Sequence, residues 1–148
     1  MDAHIAGVRV AGTVEGPLPV VLVGVEGESD VLPIFIGFDE AVSIARGLDA
    51  RDIGRPLTHD LTLDIIEELG GRVDRVEISD LRDGTFIADL HLNTPRDEVV
   101  IDARPSDSLA LVSRTDAPIA VAESVFEAGR RDEDEFEDLE DIREVADL

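Results

Sequence analysis

The chain has no cysteine, no tyrosine and no tryptophan, and only five phenylalanines in 148 residues. Without cysteine there is no disulfide, no thiolate nucleophile and no cysteine-ligated zinc. A metal would have to be held by carboxylates, histidine or backbone oxygens, which leaves hard ions as the main option. Few rings are available for stacking on bases. Long apolar runs are also missing: the longest, around Pro19 to Val25, falls far short of the roughly 20 residues that span a bilayer. The opening Met1-Asp2-Ala3-His4 carries no basic segment of the signal-peptide kind. The protein is therefore expected to be soluble and cytoplasmic, with no membrane partner. No P-loop, dinucleotide fingerprint or nucleophile elbow occurs, so several large enzyme classes lose support and no organic cofactor is expected.

Lysine is absent as well: all 13 bases are arginine, set against 35 acids for a net charge of −22. Disorder is the first alternative for such acidity, but a 43% apolar content and regular periodicities argue against it over most of the chain. A surface selected for molar salt accounts for the imbalance better, because there the Debye length falls to about 3 Å and carboxylate repulsion is screened. An extremely halophilic source is the expectation. One consequence is that a carboxylate near any given site carries little information by itself.

The patterning predicts an α+β domain over residues 1–128, with a mostly antiparallel or mixed β-sheet and three to four short helices. Two or three strands fill His4 to Ile36, punctuated by Gly16-Pro17 and by Gly27-Glu28-Ser29-Asp30. Asp39 is expected to cap a helix from Glu40 to about Leu48, and Thr58 one from His59 to Leu69 that stops at Gly70-Gly71. "RVDRVEIS" and "TFIADLHL" read as a hairpin about Asp83-Gly84. "EVVID" is a further strand, Ser108 to Ser113 a short helix, "PIAV" a strand and Glu123 to Ala128 a helical turn or two. Residues 129–148 hold ten acids against three arginines, a net of −7, with apolar residues at every third position from Phe136. Either a solvated amphipathic helix or a disordered acidic tail fits them.

Two corners stand out, "RPLTHDL" from Arg55 and "DARPSD" from Asp102. The second makes a competent helix start without any function: Pro105 sets φ, Ser106 can cap and Asp107 complements the helix dipole. Arg104 needs another explanation, either a pair with Asp102 or an anion. Arg55 and Arg104, each beside a helix start, suit phosphate oxygens, with Ser106 as a further contact. His59 is the best-placed general base, although a first-turn histidine is also ordinary. Asp89 and His91, two apart on a strand, read as a solvated face.

Taken in order, "LPIFIGFDEAVSIA", "RPLTHDL", "DGTFIADL", "DARPSDSLAL" and "PIAVAESV" resemble the bifunctional nuclease domain family and cover most of residues 5 to 128. The resemblance implies a compact α+β domain acting on RNA and DNA, with recurring polar positions at Glu40, Arg55, His59, Asp60, Asp102, Arg104, Ser106 and Asp107. Ser108 departs from the family's frequent alanine. One hypothesis is then a metal-assisted nuclease. Its Mg²⁺ or Mn²⁺ would be held among Glu40, Asp60, Asp102 and Asp107, with His59 or a metal-bound water supplying the nucleophile and Arg55 and Arg104 stabilising the phosphorane. Against it stands the repulsion between an acidic body and a polyanion. The second hypothesis is a non-catalytic domain that binds a small anion or regulates as a homo-oligomer, with a dimer expected.

Overall fold

A computed structural model describes residues 1–50 and 54–148. Three strands come first: β1 (Asp2–Thr13), β2 (Gly16–Val25) and β3 (Val31–Phe35), an antiparallel meander with Val8 opposite Val21 and Val23 opposite Leu32. The β2 run "PVVLVGV" is almost continuously apolar because both faces of the strand are covered. Val21 and Val23 enter the main core under the helices, whereas Val20 and Leu22 form a smaller cluster with Val31 against Phe136 and Leu139.

Helices α1 (Phe38–Asp49) and α2 (Thr58–Glu68) follow, then β4 (Arg72–Arg82) and β5 (Thr85–Asn93). Asp83 and Gly84 turn the chain between those strands with φ of 51° and 80°, as a two-residue hairpin loop demands. Strand β6 (Glu98–Ala103) forms the sheet edge, and α3 (Pro105–Thr115) leads back to β7 (Ile119–Val121) and α4 (Glu123–Gly129). The sheet order is β3-β2-β1-β7-β4-β5-β6, antiparallel except for the parallel β4–β7 pair. The α+β architecture with a mixed sheet expected from the sequence is thus the fold. Among the described residues no helix is long and apolar enough to cross a membrane.

The acidic segment departs from both forms expected of it. It is neither one long helix nor disordered: a 3-10 turn (Glu133–Phe136), strand β8 (Glu140–Asp141) on β1 and the single-turn helix α5 (Ile142–Val145) fold back on the sheet, raising the helix count among the described residues to five. Ile142 is fully buried in the core, and Arg143 pairs with Asp49 at 2.8 Å. The three-residue apolar spacing serves short elements rather than one helix: Phe136 and Leu139 cover the open face of β2, whereas Ile142 enters the main core. Burial of each such side chain outweighs what a solvated helix so rich in like charge would gain.

All three long helices start earlier than their expected caps. The N-cap positions are Gly37 rather than Asp39, Leu57 rather than Thr58, and Arg104 rather than Ser106. Pro105 takes the first helical position of α3, where its missing N–H costs nothing. In α2, Asp60 reaches back to accept the Leu57 N–H at 2.9 Å.

Helices α1 and α3 approach closely at Gly47, where a Cβ would run into the Ser113 hydroxyl and stand 2.9 Å from Arg114 Nη1. Also on α3, Ser108 is fully buried and its hydroxyl has no hydrogen-bond partner among the described residues. A buried, unpaired hydroxyl is destabilising, so Ser108→Ala is expected to raise stability by about 1 kcal/mol, or about 2–4 °C in Tm by calorimetry. A lower Tm would mean that the hydroxyl is satisfied after all.

Candidate active site at the junction of three helices

The site is built from one face of each of three helices. Glu40 and Ser43, three residues apart on α1, share a face, and Ser43 is among the few buried polar side chains. His59 lies in the first turn of α2, and Asp107 in the first turn of α3. Packing of α1 and α2 against α3 brings these together around a cleft of about 420 Å³, lined by Glu40, Ser43, His59, Arg104 and Asp107 among others.

Two hydrogen bonds hold His59. Its Nδ1 lies 2.6 Å from Ser43 Oγ and its Nε2 lies 2.9 Å from Asp107 Oδ1. Asp107 also accepts from Arg104, at 2.9 Å from Nε and 3.2 Å from Nη2. Arg114, only 10% exposed, closes the other end: it donates to Asp60 Oδ1 at 2.7 Å, to the Ser43 and Ala110 carbonyls, and to Ser43 Oγ at 3.2 Å. Burial alone would raise the Asp107 pKa, but the hydrogen bonds and charges of Arg104 and His59 outweigh it and hold the group below its ordinary value. Asp60 behaves alike: burial opposes its charge, and Arg114 together with the Leu57 N–H prevails.

These contacts set the direction of the chain of hydrogen bonds. An ionised Asp107 only accepts, so a neutral His59 carries its proton on Nε2 and leaves a lone pair on Nδ1. Ser43 Oγ, already accepting from Arg114, turns its own proton toward that lone pair. The sequence runs Arg114 to Ser43 to His59 to Asp107, with Arg104 as a second donor to Asp107.

The two corners singled out in the sequence therefore do meet, through His59 and Asp107 and not through their arginines. Arg55 is exposed, lines neither this cleft nor its neighbour, and has no ion pair among the described residues. Arg104 faces Asp107 rather than Asp102, which stands exposed on β6 opposite Asp89. Glu40 lies in the cleft with its carboxylate folded against Gly37, 3.7 Å from Arg104 Nη2, whereas Ser106 lines the neighbouring cleft. Ser43 and Arg114 were not singled out beforehand. Ser43 had one local signal, its place on the Glu40 face of α1; Arg114 read only as a dipole-favourable base in a last turn.

For Mg²⁺ or Mn²⁺ the donor set fits poorly. Both oxygens of Asp60 are taken by Arg114 and the Leu57 N–H, and both of Asp107 by Arg104 and His59. Among the described residues no group of three His, Asp or Glu converges as a metal site would require.

The resemblance in the sequence has a direct counterpart. A model of the bifunctional nuclease domain matches residues 20–134, which hold every side chain of this cleft. The chain belongs to that family. An uncharacterized protein of Mycobacterium tuberculosis strain H37Rv is 42% identical over 127 residues, covering 84% of this chain and 73% of that protein. Its counterpart in strain CDC 1551 matches with the same figures, 42%, 84% and 73%.

Proposed function

We propose that the chain is a nuclease that hydrolyses phosphodiester bonds of DNA and RNA in the cleft between α1, α2 and α3. The observation that carries this reading is the directed hydrogen-bond chain through His59, in which a serine hydroxyl lining the cleft donates to the imidazole. A water on the cleft side of Ser43 passes a proton to Ser43 Oγ as the serine proton moves to His59 Nδ1. The imidazolium so formed lies against the Asp107 carboxylate. Oxygen of that water bonds to phosphorus, the bond to the leaving nucleotide oxygen breaks, and a proton from His59 or solvent neutralises it. Arg104, 66% exposed and with Nη1 unpartnered among the described residues, is the donor for the phosphate oxygens. Because a chain at −22 repels a polyanion, few phosphates are neutralised and affinity rests on close contacts.

Protein purified in molar KCl is expected to cleave labelled single-stranded DNA and RNA, assayed with and without Mg²⁺ or Mn²⁺. Arg104→Ala should lower the rate by about 10²-fold. The unfolding midpoint should barely move, since exposed ion pairs contribute about 0–1 kcal/mol. One observation favours a second reading, a non-catalytic anion-binding domain: Arg104 is already paired with Asp107. Wild type that cleaves neither substrate under any of these conditions would establish that reading instead.

A further inference from the structure

The hairpin tip "DGTF", the strand end "IFIG" and the corner "ARPS" are distant in the chain, and the cleft at His59 makes no use of the first. They meet in a second cleft of about 460 Å³, whose walls include Leu18, Phe35, Gly84 and Phe86. Arg104 lines both clefts and forms the ridge between them.

Three properties distinguish this second cleft. Among the described residues its only charged lining residue is Arg104, in a chain of net charge −22, whereas Asp39, Glu40 and Asp107 line the other. Ser106 also lines it and is 5% exposed, yet its hydroxyl has no hydrogen-bond partner among the described residues. The N–H groups of Ser106 and Asp107, at the start of the 11-residue α3, are likewise unpartnered, and no side chain caps them. Together with Arg104 Nη1 these donors match the oxygens of a phosphate at a helix N-terminus. Finally, Phe35 is 55% exposed at the end of β3, one of two rings in the lining. An aromatic face beside an anion site has the form of a base-stacking platform.

From this juxtaposition we infer that the second cleft binds one unpaired nucleotide of a single-stranded nucleic acid, phosphate on the α3 N-terminus and Arg104, base on Phe35. The inference rests on the nuclease reading for the kind of polymer that enters. A base within a duplex is stacked between its neighbours and cannot reach the ring, so the cleft selects single strands. With the base seated there, the adjoining phosphate lies at the ridge, within reach of the His59 cleft. The stacking contact is insensitive to salt, which suits a site with one arginine.

The test uses the full chain carrying His59→Ala, which slows turnover, and a fluorescein-labelled eight-nucleotide single-stranded DNA beside its blunt duplex, titrated by anisotropy. Single-strand binding is expected to be at least tenfold tighter than duplex binding. Adding Phe35→Ala should weaken it by about tenfold or more and leave duplex binding unchanged. Ser106→Ala should weaken the binding of inorganic phosphate and of a nucleoside monophosphate alike. Equal affinity with and without Phe35→Ala, in a protein whose unfolding midpoint is unaltered, would overturn the assignment even if wild type cleaves nucleic acid. Conversely, a Phe35-dependent preference for single strands in a chain that never cleaves them would sustain this subsite and end the nuclease reading.

Discussion

His59→Ala is expected to lower phosphodiester cleavage by about 10²–10⁴-fold, the range associated with losing a positioned general base. The geometry singles out this residue because it is only 14% exposed and both ring nitrogens are engaged, by Ser43 and by Asp107. Removing it breaks the path from the cleft hydroxyl to the carboxylate while leaving Arg104 and the second cleft in place. The variant also loses two hydrogen bonds, a cost of about 1–3 kcal/mol, so rates must be compared well below its unfolding midpoint. His59→Gly separates chemistry from structure, since added imidazole should restore part of its rate, which a purely structural histidine would not permit. A His59→Ala rate within a few-fold of wild type, at a temperature where both are folded, would remove His59 from the mechanism.

Arg114→Met should have the largest effect on stability. The guanidinium is 10% exposed and makes four hydrogen bonds, to Asp60, to Ser43 Oγ and to two helix carbonyls, binding α3 to both α1 and α2. Methionine keeps much of the volume but leaves Asp60 without its cation and Ser43 without its donor. Breaking a fully buried pair costs about 3–5 kcal/mol; Asp60 is 35% exposed, so about 3 kcal/mol is the expectation here. That corresponds to roughly 6–12 °C in Tm for a chain of this size. The pH dependence follows from the lowered Asp60 pKa. A carboxyl whose folded value is depressed contributes its stability above the unfolded value, near 4, and loses it as pH falls through the folded one. The gap between wild type and Arg114→Met should therefore be widest at neutral pH and narrow below about pH 4, as read by urea unfolding at fixed salt. A variant as stable as wild type at pH 7 would show that Arg114 does not hold the junction together.

How much of this was legible beforehand depended on the range over which each feature acts. The hairpin at Asp83-Gly84 could be read because a two-residue loop with two positive φ angles selects its residues locally. The helix faces could be read because positions three and four apart share a surface. Caps were misplaced by one or two residues, since Asp60 and Pro105 act from inside the helix as well as a serine or threonine does from outside. The acidic segment misled for a different reason: its spacing of three matched a helix, but the open face of β2 that Phe136 and Leu139 cover is a property of the folded sheet.

By itself the sequence determined the α+β class, the two polar corners, the family and the candidacy of His59, Arg104 and Asp107. Only the tertiary structure decided that Arg104 faces Asp107, that Arg55 stands apart, and that Ser43 and Arg114 complete the chain. Arg104 and Asp107 are only three positions apart and Ser43 and His59 sixteen, but the contacts of His59 with Asp107 and of Arg114 with Asp60 and Ser43 join residues 48 to 71 positions apart. Nothing local specifies them; they exist because Gly47 lets α1 and α3 approach and because apolar packing sets the helices at one angle and register.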